Sequence, residues 1–317
     1  NSKRGIHFCF PEHLHHRHHS ILRNRCLCLN RHHGIWTVCH PDGSSYGAYR
    51  VQTLINRVLL ALGASITGDS YLFALDSCRH SAASGANNTR DFPFHYSTSK
   101  LTVNGVLNIA NTKGAAISID HWKNDAKTSS VTVANGGKIN IGADADGNGI
   151  ANHGIVIQNI GELTVEVGGK LTIRDVSGTN VHGISMANGT LKVYGEIEID
   201  GVTGGGYGAN ISGNSVITSV KDGALVETGK LTIKNVGYGI AFHGNAVAEL
   251  AELVCENNSK SCLYVDGANN QVTVHKANLG GGTTVAETNV NIKKGTVTVT
   301  NATLNKTKNA NVSLADG

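Results

Sequence analysis

Several groups of side chains in this 317-residue chain have the types and spacing to do chemistry. The run Asp144-Ala-Asp146-Gly-Asn148-Gly sets oxygen-bearing side chains at alternate positions with Gly at the turn, which is the first half of a calcium loop. The bidentate acid of such a loop belongs at its twelfth position, and that position is the apolar Ile155, so a polar turn rich in Asp, Asn and Gly is the competing reading. Asp175 and Asp200 each follow an apolar strand pattern, with Asn235 in line below them. Two facing carboxylates could do acid–base work on a polysaccharide, where a separation of roughly 5 to 9.5 Å distinguishes retaining from inverting chemistry. A ladder of turn-forming residues is the alternative. His153 and His182 both precede a Gly-Ile pair, so they are expected one above the other, as two of the ligands a metal would need. Cys255 and Cys262 flank Glu-Asn-Asn-Ser-Lys-Ser; they read either as a short disulfide loop suited to an oxidising compartment or as two buried thiols. Cys9, Cys26, Cys28 and Cys39, with nearby histidines, could hold zinc, although their spacing matches no standard finger.

The remaining chemistry is sparse. There is no Gly-x-Ser-x-Gly, no phosphate-cradling Gly-Lys-Ser/Thr loop and no dinucleotide fingerprint. Arg174 is the one arginine after residue 99, and Trp122, Tyr194, Tyr207, Tyr238 and Tyr264 read as scattered rather than grouped. Neither feature favours sugar chemistry, so the expectation is a protein that is not an enzyme and carries no cofactor. Residues 100–317 hold seventeen basic and eighteen acidic side chains, which gives no electrostatic reason to expect nucleic acid or an anionic membrane as partner. The longest apolar run, from Val58 to Ile66, is about half of the ~20 residues a spanning helix needs.

The elements that must position these residues come from a repeat. Leu-Thr-Val-Asn-Gly-Val-Leu-Asn-Ile from Leu101 is echoed from Val131, Leu163, Leu191 and Leu225, and each echo is followed by a Gly-rich stretch and a third apolar triplet, at Ile117, Ile155, Ile184 and Ile240. Period-two alternation with Gly-Asn turns predicts short strands with one apolar face. Three strands per unit, stacked unit on unit, predict parallel sheets around a continuous core. The second strands end at Ile109, Ile141, Ile173, Ile199 and Ile233, in steps of 32, 32, 26 and 34 residues. The loop before the third strand, above all residues 142–154, is where the varying length is expected. Asn135, Asn188, Asn214 and Asn245 are expected to stack as an amide ladder, and Asn245–Asn257 is the one stretch with the composition of a short helix.

The first third reads differently. Residues 1–99 hold ten basic and five acidic side chains, eleven of the sixteen histidines, five of the seven cysteines and all three prolines. Runs such as His-Leu-His-His-Arg-His-His have no period of two or of 3.6. Residues 1–96 therefore read as a poorly ordered leader, or as an out-of-frame reading of more repeat, since histidine codons shifted by one base encode Thr or Ile. The repeat domain is expected over residues 97–317, as a fragment that continues past its last residue.

The pattern x-Leu-Thr-Val-x-x-Gly-Gly-Lys-Leu-Thr-Ile, with Gly-Asn turns, abundant Thr, Asn, Gly and Val, and almost no Pro or Arg, resembles bacterial autotransporter passenger domains and is similar to haemagglutinin-type adhesins. The resemblance covers roughly residues 97–317. It implies an all-β fold, a right-handed parallel β-helix with three short strands per coil, exported to the cell surface through an outer-membrane β-barrel translocator that lies outside this chain. It further implies a structural and adhesive role, with a protein or glycan on host or neighbouring cells as partner, and closely spaced cysteine pairs such as Cys255 and Cys262 resemble those such passengers tolerate. A carbohydrate-active β-helix enzyme and a phage tail-spike segment are the alternative readings.

Overall fold

The computed structural model describes residues 100–120, 128–143, 145, 147 and 149–315, together with the backbone of five strands nearer the N-terminus: Ile6–Pro11, Asn24–His32, Ile35–Cys39, Ser65–Ile66 and Ala74–Leu75. The chain divides into two compact units, residues 1–64 with 68–70, and residues 65–67 with 71–317. In the first, Asn24–His32 pairs antiparallel with Ile6–Pro11 on one side and Ile35–Cys39 on the other. The second is all-β, with no helix among the described residues, and parallel pairing joins 21 strands into one sheet.

Most strands of that sheet pair with the strand about one repeat further on, so three ladders build up. The first runs through Lys100–Val103, Ser130–Val133, Glu162–Val165, Thr190–Val193 and Val216–Thr218 into Val247–Glu256. The second runs through Val106–Ala110, Lys138–Gly142, Lys170–Val176, Glu196–Val202 and Lys230–Lys234. The third runs through Ile117–Ile119, Ile155–Gln158, Ile184–Ala187, Tyr207–Ser212 and Tyr238–His243. Ser65–Ile66 and Ala74–Leu75 extend the second and third ladders towards the N-terminus. The isoleucine series from Ile109 to Ile233 forms one line of register, carried on by Cys255 and Leu279.

The alternation in sequence explains which side chains enter the core. Leu163, Val165, Leu171, Ile173, Leu191 and Val193 are fully enclosed, and the residues between them face outward or sideways. Branched aliphatic side chains suit this pleated, closely stacked interior. Phe242 is the largest fully buried side chain among the described residues. The corner after the second ladder is a column of left-handed residues: Asn111, Asp175, Asn235 and Asn257 have φ between 53° and 56°, and Gly201 takes the same place with φ 73°. Asn, Asp and Gly tolerate that region best.

From Lys170 onward, charges on the second ladder alternate from coil to coil, whereas Lys138 in the coil before it stands opposite Lys170. Lys170, Glu196, Lys230, Glu252 and Lys276 lie on one register line, and Arg174, Asp200, Lys234 and Glu256 on another. Lys170 meets Glu196 at 3.3 Å, Lys276 meets Glu252 at 3.3 Å, and Lys234 meets Glu256 at 3.7 Å. Each exposed pair is worth about 0–1 kcal/mol, but a slip by one coil would oppose like charges along the whole line.

Two expectations are corrected. Asn245–Asn257 contains no helix; Val247–Glu256 is a strand, with Ala248, Leu250, Leu253 and Cys255 buried. Its Ala, Leu and Glu residues have helical propensity, yet strands on both sides supply pairing that a helix would forfeit. The extra length before Ile233 also falls elsewhere than expected. The first-ladder strand of that coil is Val216–Thr218, and the segment at Leu225 belongs to a hairpin in which Val220–Lys221 pairs with Ala224–Leu225. Its turn is Asp222-Gly223, with φ of 52° and 80°, the geometry a two-residue hairpin loop requires.

Truncating the core side chain of Leu191, which is 0% exposed, with Leu191→Ala is expected to destabilise the repeat domain by about 2–5 kcal/mol. Lys276→Ala should cost below about 1 kcal/mol. Urea unfolding followed by far-ultraviolet circular dichroism measures both.

Candidate functional site

The histidine pair opens onto a longer arrangement. His153, His182, Tyr207 and Tyr238 each immediately precede a glycine: Gly154 and Gly183 lead into third-ladder strands, and Gly208 and Gly239 are the second residues of theirs. A Cβ at any of these glycines would lie 2.3–2.8 Å from the carbonyl oxygen of the next coil, so only Gly lets the coils close at that corner. The rings just before them stack. His153 and His182 are 5.0 Å apart at 26°, His182 and Tyr207 5.3 Å at 47°, and Tyr207 and Tyr238 5.0 Å at 41°.

Backbone hydrogen bonds fix the imidazoles. The His182 N–H donates to His153 Nδ1 at 2.9 Å, and the Tyr207 N–H donates to His182 Nδ1 at 3.1 Å. An Nδ1 that accepts leaves the proton on Nε2 of a neutral ring. The Asn210 side chain lies 3.2 Å from His182 Nε2, and its Oδ1 has no partner. Turning that amide end for end sets Oδ1 against Nε2–H and satisfies both groups. Burial, with repulsion from His153 next, pushes His182 down to about 4, and burial also lowers His153 and His243.

Further along the third ladder the column widens into a patch. Tyr264 lies 5.9 Å from Tyr238 and 5.7 Å from His243, and His243 lies 6.0 Å from Tyr207. Ala241 lies on an outward register line between Asn210 and Tyr264, yet is 0% exposed. The Tyr264 hydroxyl donates to Asp266 Oδ2 at 3.0 Å, and the Lys293 ammonium sits 5.5 Å from the centre of the Tyr264 ring. The tyrosines read as scattered in sequence are therefore grouped. The signal for two of them was the same ring-Gly step that marks His153 and His182. Tyr264 and His243 carry no such signal, because register alone brings them to the patch. Tyr194 stands apart, with its hydroxyl donating to the Val220 carbonyl at 3.3 Å, and Trp122 lies outside the described residues.

The other candidates fall as follows. Asp144, Asp146 and Asn148 lie outside the described residues. Asp200 is level with Arg174, whereas Asp175 lies one place further on, in the left-handed corner. Asp200 Oδ1 accepts from Asn235, and Asp175 Oδ2 accepts from the Ala143 N–H at 3.3 Å. Cys255 and Cys262 are buried free thiols; Cys255 donates to the Cys262 carbonyl and Cys262 to Asn289 Oδ1, each at 3.6 Å. The hydrogen bond with Cys262, and then complete burial, holds the Cys255 thiol well above its usual range. In the N-terminal sheet the backbone register sets Cys9 opposite Cys26 and Cys28 opposite Cys39. Among the described residues no three His, Cys, Asp or Glu side chains converge on one point, and no helix is long and apolar enough to cross a membrane.

The amide ladder exists with changed membership. Asn188 Oδ1 accepts from the Asn214 N–H at 2.9 Å, Asn245 donates to Asn214 at 3.1 Å, and Asn269 donates to Asn245 at 2.9 Å. Asn135 does not join, because it sits in the corner between the first and second ladders. No family model matches the chain, and neither curated proteins nor solved structures include a match to it.

His182 binds its proton near 4 in the fold and near 6.5 when unfolded. The stability it contributes is complete above about pH 6.5 and is lost as the pH falls from there towards 4. A shift of that size corresponds to at most about 3 kcal/mol, less the screening at the ring's open flank. Urea midpoints measured across this window should fall in the wild type, and His182→Asn should flatten the slope. Superimposable profiles would exclude His182 as the titrating group.

Proposed function

We propose that residues 97–317 form a right-handed parallel β-helix of the autotransporter-passenger type, which acts at the cell surface as a structural and adhesive column. The observation that supports this reading is the set of parallel ladders that runs from Lys100 to Leu304, with register shifts confined to Cys255/Glu256 and to either side of Asp266. Such a stack buries its chemistry-poor aliphatic side chains and offers long lateral faces, the surface a binding column uses. The translocating β-barrel is expected in sequence outside this chain, and the partner is a protein or glycan on host or neighbouring cells.

A carbohydrate-active enzyme is the second reading. It is favoured by the tyrosine patch on the third ladder and disfavoured by the hydrogen-bonding of Asp175 and Asp200, each committed to a different neighbour.

Produced from its own gene with all flanking sequence, the repeat domain should be labelled by antibody on intact cells and should mediate their attachment to other cells. Labelling only after the cells are lysed would sink the surface reading. Release of reducing ends from a polysaccharide panel would favour the enzyme instead.

A further inference from the structure

The four-ring patch differs from the rest of the aromatic column in a way that points to a ligand. His153 and His182 stack at 26°, and His182 is only 8% exposed, so their faces cover one another. Beyond them the planes turn. Tyr207 and Tyr238 meet at 41°, Tyr238 and Tyr264 at 66°, and Tyr207 and His243 at 72°. Rings tilted this far leave part of each π face and edge uncovered, and all four are half-buried rather than enclosed. Each ring packs against two others of the four, so little side-chain freedom remains to be lost on binding.

The rim of the patch is polar and carries both signs. Asn210, Ala241, Tyr264 and Asn291 follow one another on a single outward register line; Asn210 is taken up by His182, and Asn291 sets an amide at the other end of the ring cluster. Amides both donate and accept, as a hydroxyl-bearing ligand requires. Asp266, bound by the Tyr264 hydroxyl, adds an acceptor, and the exposed Lys293 adds donors. The second ladder presents no tyrosine or histidine on its outward lines: one is a comb of paired charges from Lys170 to Lys276, and the next runs through Asn140, Thr172, Glu198, Thr232 and Val254. Coils repeat at about 4.8 Å along the axis, which is close to the length of one pyranose residue in an extended chain.

We infer that the patch formed by Tyr207, Tyr238, Tyr264 and His243 docks an extended pyranose oligosaccharide, with the apolar C–H faces of its sugars on the tyrosines and its hydroxyls on Asn291, Asp266 and Lys293. The ligand runs along the coil axis, one sugar to a coil. This assignment rests on the surface-binding reading above and supplies the chemistry of its partner.

The test is isothermal titration of the purified full chain with four probes: cellohexaose, maltohexaose, chitohexaose and a hexagalacturonate. The first three are uncharged and the last acidic, so the panel also reports which kind of glycan the rim accepts. At least one probe should bind at millimolar concentration or tighter. Tyr264→Leu, which keeps apolar volume but removes the ring, should weaken that binding about tenfold or more, while Lys276→Ala on the second ladder leaves it unchanged. Should Tyr264→Leu lower the melting temperature, Asn291→Ala at the rim serves in its place, with a loss of about threefold or more expected. Absence of binding by all four probes overturns the assignment, as does binding that none of the patch variants affects. Because the antibody and attachment experiments use no added sugar, the two readings fail separately. Surface display with cell attachment but no sugar binding sinks only the glycan assignment, and sugar binding by a chain confined within the cell sinks only the surface reading.

Discussion

Parallel pairing of each coil with the next is the constraint on which everything else in the repeat domain depends. A strand such as Thr190–Val193 has Glu162–Val165 on one side and Val216–Thr218 on the other, and its backbone groups have no other partners of that quality. Because the side-chain period is two, a slip of one residue would turn Leu191 and Val193 outward and bring Lys192 in. The core, the corner turns and the outward faces are all consequences of keeping that register. Devices at each level defend it: the alternating charges of the second ladder, the left-handed corner column and the amide ladder through Asn188, Asn214, Asn245 and Asn269.

Register also converts isolated residues into surfaces. A residue that occurs once per coil becomes, through stacking, a continuous line about 4.8 Å in repeat. The ring column is built this way. The glycine after each ring permits close approach of the next coil, the backbone N–H of each ring residue from His182 to Tyr207 finds the imidazole before it, and burial favours the neutral form of both imidazoles. Neutral rings can stack without charge repulsion, which is why the column tolerates two histidines at 5.0 Å. Where tyrosine replaces histidine, the larger rings tilt and the column opens towards solvent.

Where sequence and structure diverge, the cause is long-range competition. Asn245–Asn257 has the composition of a helix, but its neighbours on both sides offer strand edges, and a helix there would leave both unpaired. The segment at Leu225 copies the repeat motif yet lies in a hairpin, because the first-ladder position of that coil is already filled by Val216–Thr218. Asp175 and Asp200 both follow a second-ladder isoleucine, but Asp175 comes two places after Ile173 and Asp200 one place after Ile199, and the pairing of Arg174 with Asp200 keeps that offset.

The sequence by itself determined the period-two strands, the three-strand unit, the isoleucine line from Ile109 to Ile233, the stacking of His153 on His182 and the turn positions of Asn and Gly. These follow from local alternation and from residues whose backbone preferences are intrinsic. Tertiary structure alone decided that Tyr207, Tyr238, Tyr264 and His243 share one patch, that Asn135 leaves the amide ladder while Asn269 joins it, and that Asp200 answers to Asn235 rather than to Asp175. Those outcomes depend on which residues of different coils come level, and that is set by loop lengths and cross-coil pairing, quantities that no single repeat contains.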